Sequence, residues 1–341
     1  MIDPDPQSVL EIGEALVAMG LVRPGGGPFT LLPLSGGVSC DVYLVNGEGP
    51  SPFVVKRALP KLRVTADWFA PPERAATEVA WMKLAAGVDP HCVPKVLGED
   101  RERNAFAMEY LPPEKHPVWK AELAEGRIDV AFAAAVGTAL ARIHAATAGK
   151  ADVAAAFANE AQFRALRLEP YLLFTAERHG GLAHAIRDEA ERIAGARIAL
   201  MQGDISPKNI LCGPQGPMFL DAETACYGDP AFDLAFCMNH FLLKAVWHPQ
   251  WTAGYARSFA AMRDAYLGGV TWERREAIDA RTARLLPMLF LARVDGKSPA
   301  EYLTDDGDKA FVRGAALQMI VEPPMNLGVL GETYFAVAAQ R

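Results

Sequence analysis

The segments with strand character in this sequence are concentrated in its first 111 residues. Five runs of apolar and β-branched residues occur there, at positions 29–34, 41–46, 53–58, 95–98 and 105–110. Glycine-containing turns separate the first three runs, which is typical of an antiparallel β-meander. Apolar residues recur at helical spacing in residues 7–19, which stop at Gly20, and again in residues 73–86. Pro112 and Pro113 then end the strand-rich part.

From Asp129 onwards the chain is rich in alanine and its pattern becomes mainly helical. The spacing predicts helices at residues 129–147, 160–168 and 182–194, with Asp129 as the N-cap of the first. A short strand–loop–strand segment at 198–221 interrupts the helices. We therefore expect an α+β protein with an N-terminal lobe of residues 1–111 and a larger, mainly helical lobe of residues 112–341.

The charge balance narrows the classes of partner. The 341 residues include 34 Lys and Arg against 41 Asp and Glu, a formal net charge of −7. This acidic balance argues against nucleic acid as the main partner, because binding to a phosphate backbone needs clustered positive charge. It is compatible with a cationic substrate, and the acidic stretch at 305–308 gives a weak hint of an amine-bearing one. A solvated loop is the plainer interpretation of that stretch.

The sequence gives no sign of export or of a membrane span. Residues 1–6 contain neither a basic segment nor an apolar one, and the apolar helical stretch at 130–141 is too short to cross a bilayer. The five cysteines are scattered and form no CxxC pair, so neither a zinc site nor a disulfide framework is indicated. We expect a cytoplasmic protein without a membrane partner, and either a monomer or a homodimer.

The strongest chemical signal is the order of polar residues in the segment that interrupts the helices. Phosphoryl transfer needs a carboxylate to orient the attacking hydroxyl and oxygen ligands to hold magnesium. Asp204 can supply the first, and Asn209 and Asp221 the second, with Glu223 as a further ligand. Two short strands joined by a turn at 213–216 would bring Asn209 and Asp221 to the same end of a hairpin.

This order resembles the catalytic loop of the kinase superfamily, in which Asp and Asn are followed by a metal-binding Asp. The Gly203-Asp204 opening and the Asp221-Ala222-Glu223 form resemble aminoglycoside phosphotransferases and their relatives. The resemblance extends over about residues 34–303. It implies a protein-kinase-like, two-lobed fold and the transfer of a phosphate from ATP, with Mg²⁺, to a hydroxyl group of a small molecule.

Two positions depart from the pattern. Gln202 stands where the family usually has a histidine whose role is mainly structural. Ser206 stands where many protein kinases have a lysine, and Lys208 is positioned to reach the γ-phosphate instead. The substitution at Gln202 is the best support for an alternative, a weak or inactive nucleotide-binding protein. A protein kinase is a less favoured alternative, because an Ala-Pro-Glu activation segment is not recognisable.

The resemblance also implies nucleotide-binding residues upstream. Gly36, Gly37 and Ser39 match the loop that covers the nucleotide phosphates, where backbone N–H groups approach phosphate oxygens. Lys56 matches the strand lysine that contacts the α- and β-phosphates. Its expected partner is Glu78, and Glu73 is the rival candidate.

Three further segments complete the resemblance. Glu109 and Leu111 lie in a stretch similar to the hinge whose backbone binds adenine. Asp233 is expected to brace the catalytic loop. Residues 293–303 resemble a segment of a bacterial subgroup of these phosphotransferases, and either line the acceptor pocket or form a plain turn. The identity of the acceptor is not readable from the sequence.

Overall fold

Five strands near the N-terminus form one antiparallel sheet in the computed structural model, which describes residues 6–23, 29–34, 39–47, 51–61 and 70–341. The strands are β1 (Thr30–Pro33), β2 (Cys40–Asn46), β3 (Phe53–Ala58), β4 (Val96–Asp100) and β5 (Ala105–Glu109). Their order in the sheet is β1-β2-β3-β5-β4. The meander of the first three strands is as predicted, whereas the last hairpin joins β3 through β5.

Two helices accompany this sheet, α1 (Pro6–Ala18) and α2 (Arg74–Val88). Helix α1 ends before Gly20, which adopts a φ of 71°. A side chain at that φ is strained, so glycine is the residue that suits this C-terminal turn. The buried residues Ile12 and Leu16 of α1 pack with Tyr43, Val45 and Val55 of the sheet and form an apolar cluster.

The remainder of the chain is mainly helical. The helices are α3 (Trp119–Ala124), α4 (Val130–Thr147), α5 (Ala151–Ala156), α6 (Glu160–Phe163), α7 (Phe174–Arg178), α8 (Ala183–Gly195), α9 (Ala231–Trp247), α10 (Thr252–Gly268), α11 (Arg275–Asp295), α12 (Asp306–Val321) and α13 (Leu327–Ala338). Helix α4 begins at the predicted cap, because the Asp129 carboxylate accepts from the backbone N–H groups of Ala131 (2.8 Å) and Phe132 (3.1 Å). Helix α9 forms the core, since nearly all of its residues are buried.

Helix α4 has the length and the apolar composition of a membrane span, which no other helix of the described residues has. Its interior is packed against protein: a Cβ added at Gly137 would lie 2.4 Å from the carbonyl oxygen of Met262 on α10. His144, in its last turn, is fully buried. These contacts are typical of a core helix.

Two short antiparallel pairs interrupt the helices. Strands β6 (Ala199–Met201) and β9 (Cys226–Gly228) form one pair, and β7 (Ile210–Gly213) and β8 (Gly216–Phe219) form the other. In the second pair Ile210 lies opposite Phe219, so the predicted hairpin exists. Strand β9 and helices α3 and α5 were not predicted from the sequence, because each has only three to six residues.

The predicted helix at 160–168 is too short. A π-helical stretch, Arg164–Leu173, continues from α6 into α7, although Pro170 lies inside it. Proline lacks the N–H that a regular helix interior uses, which is why the predicted helix ended before Pro170. The wider π-helical turns carry the chain past this residue.

The described residues divide into two compact units. The first runs to Lys115 and includes Leu220–Glu223, and the second comprises His116–Phe219 and Thr224–Arg341. The α+β class, with a β-rich first part and a larger helical second part, is confirmed. The assignment of residues 1–111 to nucleotide binding and of residues 112–341 to catalysis and acceptor binding stays a prediction.

Candidate active site

The first unit contains a buried, ion-paired lysine. Lys56 of β3 is 7% exposed, and its Nζ lies 2.7 Å from Glu78 Oε2 on α2 and 2.6 Å from Asp221 Oδ1. Glu78 is therefore the helix carboxylate that meets Lys56, whereas the rival Glu73 occupies the N-cap position of α2. The structure brings three residues of the predicted site together in one ion-paired cluster.

The electrostatics of this cluster favour a charged lysine. Burial opposes the charge of Lys56, yet Asp221 and Glu78 outweigh it and hold the pKa of Lys56 well above its usual value. Burial also raises the pKa of Glu78 to about 7, with Lys56 acting in the opposite direction. Lys56 is therefore a cation at neutral pH and lies between two acidic groups.

Asp221 has an unusual backbone conformation. Its φ is 66°, in the left-handed region that residues other than glycine rarely adopt. Such conformations cost about 1–3 kcal/mol and persist where the surroundings enforce them, frequently at functional sites. Its carboxylate is a hard oxygen donor of the kind that Mg²⁺ prefers.

Glu223, also assigned to the metal, has a partner within the first unit. Its Oε2 lies 2.8 Å from Nε of the fully buried Arg74, and the Cys40 thiol approaches the same oxygen at 3.8 Å. Arg74 further donates to the carbonyl oxygens of Leu59 (2.8 Å) and Ala70 (3.0 Å). Glu223 therefore anchors an arginine that ties several loop segments together, and we expect this structural role to dominate.

The structure describes three of the other predicted nucleotide-binding residues, Ser39, Glu109 and Leu111. Gly36 and Gly37 lie outside the described residues. Ser39 is buried, and its carbonyl oxygen accepts from Leu59 N–H at 2.9 Å and from Arg74 Nη2 at 2.5 Å. Glu109 ends β5 and its N–H donates to the Lys95 carbonyl at 2.9 Å, while Leu111 follows two residues later.

Residues 201–211 of the second unit, which resemble a catalytic loop and are called the catalytic loop below, are braced from α9. The Asp233 carboxylate accepts from the N–H groups of Gln202 (2.7 Å) and Gly203 (2.8 Å), and its Oδ2 lies 3.4 Å from His144 Nε2. The predicted bracing role of Asp233 is thus confirmed. Gly203 is required here, since its φ is 81° and an added Cβ would lie 2.7 Å from the Thr224 carbonyl oxygen.

Asp204, the candidate base, is held by several donors. Its N–H donates to Gln202 Oε1 at 2.6 Å, so the unusual glutamine has a positioning contact. Asp204 Oδ2 lies 2.8 Å from Asn209 Nδ2, 3.1 Å from Arg167 Nη2 and 3.3 Å from Lys208 Nζ. Because these three donors converge on Oδ2, the carboxylate has a fixed orientation.

Arg167 is a site residue that the sequence did not reveal. It lies in the π-helical stretch, is 9% exposed, and also donates through Nε to the Gly203 carbonyl at 2.6 Å. π-Helical segments are frequent at functional sites. An arginine in a helical pattern close to a proline would have been the only local signal.

Asn209 makes its contacts through its amide nitrogen, which donates to the Asp204 carbonyl (3.1 Å) and carboxylate (2.8 Å). Its Oδ1 is therefore the atom directed away from Asp204. Amide and carboxylate oxygens form a donor set that fits Mg²⁺ in chemical type.

Lys208, the second predicted catalytic residue, has a side chain that is 56% exposed.

A cavity of about 160 Å³ opens beside Asp204 within the second unit. Asp204, Ser206 and Lys208 of the catalytic loop line it, together with Lys244 of α9 and with Arg293 and Tyr302. Of the two interpretations of residues 293–303, the structure favours the pocket wall. The backbone of this segment is fixed by a 2.9 Å hydrogen bond from Lys297 N–H to the carbonyl of Pro170.

The sequence of the chain is similar to those of known phosphotransferases. A model described as the phosphotransferase enzyme family matches residues 30–278. Methylthioribose kinase 1 of Oryza sativa subsp. japonica is 25% identical over 266 residues, which cover 70% of this chain and 59% of that protein. Methylthioribose kinase of Escherichia coli O45:K1 (strain S88 / ExPEC) is 27% identical over 269 residues, covering 69% and 63%. The chain thus spans about six tenths of the length of these curated relatives.

The solved structure of an amicoumacin kinase in complex with AMP-PNP, Ca²⁺ and Ami resembles the chain in fold. Its TM-score is 0.59 at 14% sequence identity, and the match covers 95% of each chain. At this identity the likeness concerns the fold alone.

Proposed function

Because the chain belongs to the phosphotransferase enzyme family, we propose that it is a small-molecule kinase that transfers the γ-phosphate of ATP to a hydroxyl group. The observation that carries this proposal is the orientation of Asp204. Three donors hold one carboxylate oxygen, and the residue lines a cavity large enough for part of a small acceptor. This is the arrangement that positioning of an attacking hydroxyl requires.

Asp204 and Lys208 have the catalytic roles in this proposal. The carboxylate of Asp204 accepts a hydrogen bond from the acceptor hydroxyl and takes its proton as the hydroxyl attacks the γ-phosphate. Its free oxygen for this purpose is Oδ1, since the donors of Arg167, Lys208 and Asn209 converge on Oδ2. Lys208, exposed beside it, offers a positive charge to the transferred phosphate.

The nucleotide-binding roles follow the family pattern. Lys56, held charged by Asp221 and Glu78, binds the α- and β-phosphates. The backbone of Gly36, Gly37 and Ser39 covers the phosphates, and that of Glu109 and Leu111 contacts the adenine. The AMP-PNP in the amicoumacin kinase complex is consistent with ATP use in this fold.

Asn209 and Asp221 are the proposed ligands of Mg²⁺. When bound, this ion neutralises charge on the phosphate oxygens and orients them. Asn209 offers Oδ1 while its nitrogen stays with Asp204, and Asp221 offers its carboxylate from a left-handed backbone conformation. Glu223 is engaged by Arg74, so its substitution should act mainly on stability.

Two substitutions test the proposal because their expected effects differ. Asp204→Asn preserves shape, so the rise in Tm caused by Mg-ATP should remain while kcat falls about 10²–10⁴-fold. Asp221→Asn removes a proposed metal ligand, so it should weaken ATP binding only when Mg²⁺ is present. The measurements are ATP titrations with and without Mg²⁺, and steady-state kinetics with an acceptor found by screening hydroxyl compounds for ATP consumption.

Retention of wild-type kcat in Asp204→Asn would exclude this residue as the base. A folded protein whose Tm does not respond to millimolar Mg-ATP would exclude the kinase function as a whole. ATP binding without turnover on any acceptor would instead favour the inactive nucleotide-binding alternative. Phosphorylation of peptides would favour a protein kinase.

A further inference from the structure

The cavity beside Asp204 has an excess of positive charge. Four cationic side chains and two carboxylates line it, namely Lys120, Lys208, Lys244, Arg293, Asp204 and Glu301. Lys120 forms an ion pair with Glu301, and Lys208 with Asp204 at 3.3 Å. In the described part of the chain neither Lys244 nor Arg293 has a carboxylate within 4 Å. Neither cation is therefore held by a direct ion pair among the residues described, although Glu301 acts on both at longer range. Arg293 Nη1 donates to the carbonyl oxygen and the hydroxyl of Ser298.

Lys244 is the more unusual of the two, because it is almost completely buried. The residue is 1% exposed, and Nζ has no hydrogen-bond partner among the residues described. Its ammonium lies 5.3 Å from the ring centroid of Trp247 and 5.1 Å from that of Tyr302. Burial lowers the pKa of Lys244 to about 8, so the side chain is still mainly protonated at neutral pH. A buried ammonium without an acceptor is unfavourable unless a ligand supplies one.

Other donors around the same cavity are also unpartnered. Ser206 Oγ, Arg293 Nε and Tyr302 Oη are buried and, within the described ranges, have no hydrogen-bond partner. Buried polar groups are nearly always paired in native proteins. Four such atoms on residues that line one cavity, counted with Lys244 Nζ, indicate a site built for a ligand rich in acceptor oxygens.

The aromatic side chains of the cavity do not form a cage for a cation. Arg293 lies over the ring of Tyr171 and Arg167 over that of Phe236, each 5.9 Å from the centroid, and Lys244 lies over Tyr302. Protein cations therefore already occupy these ring faces. His240 adds no negative charge, and burial together with Arg293 and Lys244 holds its pKa well below the usual value.

The acidic stretch that hinted at an amine-bearing substrate has a local role. Asp305 is the N-cap of α12 and accepts from Asp308 N–H at 2.9 Å. Asp306 pairs with Lys309 at 3.2 Å, and Asp308 with Arg341 at 2.6 Å. These residues stabilise the start of a helix and do not line the cavity.

From these contacts we propose that the acceptor carries an anionic oxygen group, a carboxylate or a phosphate, which binds Lys244 and Arg293 while its hydroxyl meets Asp204. The inference rests on the proposed kinase function and deepens it. The cavity is comparable with the roughly 150 Å³ space that holds one benzene molecule, so the enclosed part of the acceptor has about six heavy atoms.

A panel of matched compounds tests the charge of the acceptor. Short and medium-chain hydroxy acids are each compared with the primary amide and the amine of the same carbon skeleton, and glycerol 3-phosphate is compared with glycerol. The readouts are ATP consumption and the Tm of the protein. We expect the anionic members to give a kcat/KM about 10- to 100-fold above that of their neutral partners, as for a hydrogen-bonded charge. A higher kcat/KM for the hydroxy acids would indicate a carboxylate, and a higher kcat/KM for glycerol 3-phosphate would indicate a phosphate.

The variant Lys244→Met tests the assignment of the ligand group. Methionine keeps the length and apolar contacts of the side chain, so we expect the preference for anions over neutral partners to disappear. Lys150→Met is the matched control, since Lys150 has an exposed side chain outside the cavity and its substitution should leave the preference unchanged. If Lys244→Met does not fold, the preference of the wild type within each matched set still decides the question.

The possible failures can be told apart. An absence of any Tm response to Mg-ATP, together with no ATP consumption, contradicts the kinase function itself. ATP consumption with amides, amines or glycerol at least as good as with their anionic partners contradicts only the anionic acceptor. The same holds if no anion in the panel raises Tm or is phosphorylated, or if Lys244→Met keeps the full preference.

Discussion

Each of the two compact units buries a lysine, and the two lysines differ in their partners. Lys56 in the first unit is 7% exposed and meets Glu78 and Asp221, whereas Lys244 in the second is 1% exposed and meets aromatic rings. The pKa of Lys56 is raised and that of Lys244 is lowered. Burial is similar, so the carboxylates decide the direction. The first cluster is electrostatically complete within the protein, and the second becomes complete only with a ligand.

The largest expected effect comes from breaking the complete cluster. Lys56→Met leaves Glu78 and Asp221 as buried or half-buried acids without their cation. Removing one partner of a buried ion pair typically destabilises a protein by about 3–5 kcal/mol. Urea unfolding at neutral pH measures this loss, with Lys150→Met as the control. A variant as stable as the wild type would mean that the cluster is not a structural unit.

For the incomplete cluster, Lys244 and its aromatic neighbours, we expect a gain in stability instead of a loss. Lys244→Met replaces a buried ammonium that has no direct ion pair among the described residues by an apolar chain of similar length, so the free energy of unfolding should rise by about 1–3 kcal/mol at pH 7. The same unfolding experiment, without acceptor, measures the gain. A loss of stability would show that the ammonium has a favourable partner in the folded protein, and the comparison would fail.

The stability that the protein gains from Lys244→Met should depend on pH. Lys244 has a folded-state pKa of about 8 against an ordinary value of 10.5, so between these values the folded protein releases a proton that the unfolded chain keeps. Stability of the wild type therefore rises with pH in this window, by up to about 1.4 kcal/mol per pH unit from this group. The gap to Lys244→Met should narrow by about 1–2 kcal/mol between pH 7 and pH 9.5.

The charged and titratable groups that face Lys244 are Lys120, Glu301, Tyr302, His240 and His248. Burial, Arg293 and Lys244 hold the pKa of His240 well below its usual value, so this residue titrates below the window. Burial raises the pKa of Tyr302 far above this window, and the pKa of His248 is lowered by burial and by Lys244, which places its titration below the window. A gap that stays constant from pH 7 to pH 9.5 would contradict titration of Lys244. Difference measurements between the two proteins cancel the groups that they share.

The smallest effect on stability is expected for the exposed lysine of the catalytic loop. Lys208→Ala should change the free energy of unfolding by less than about 0.5 kcal/mol, because the Lys208 side chain is 56% exposed and Asp204 keeps Asn209 and Arg167 as partners. Its kcat should still fall, since a positive charge beside the transferred phosphate is removed. Unchanged kcat would leave Lys208 as a surface residue.

Local patterns in the sequence predicted much of the fold. Alternation and turn residues gave β1 to β5, a carboxylate before an apolar helix gave the cap of α4, and two short strands gave the β7–β8 hairpin. The pattern around Asp204, Asn209 and Asp221 indicated the phosphotransferase enzyme family, because these residues are close in sequence. The resemblance implied Glu78 as the partner of Lys56, with Glu73 as the rival, and the structure shows the pair with Glu78.

Contacts between distant segments were not predictable in this way. Arg167 contacts Gly203, 36 positions away in sequence, from a helical stretch that continues through Pro170. Lys244 did leave a signal, as the lone lysine in the largely apolar α9, and such a residue is expected to be either paired or functional. The sequence does not say whether Lys244 is paired or functional. In the folded protein Lys244 lines the cavity beside Asp204, which favours a functional role.

Gln202 affects the pH range over which the proposed phosphate transfer can operate. The residue usual at this position, histidine, gains a charge near pH 6.5, whereas an amide keeps one state at all physiological pH values. The contact from Asp204 N–H to Gln202 Oε1 therefore does not change between acidic and alkaline compartments. A fall in pH would leave this contact intact, and any loss of turnover would originate elsewhere, with Glu78 and its pKa of about 7 as the first group to examine.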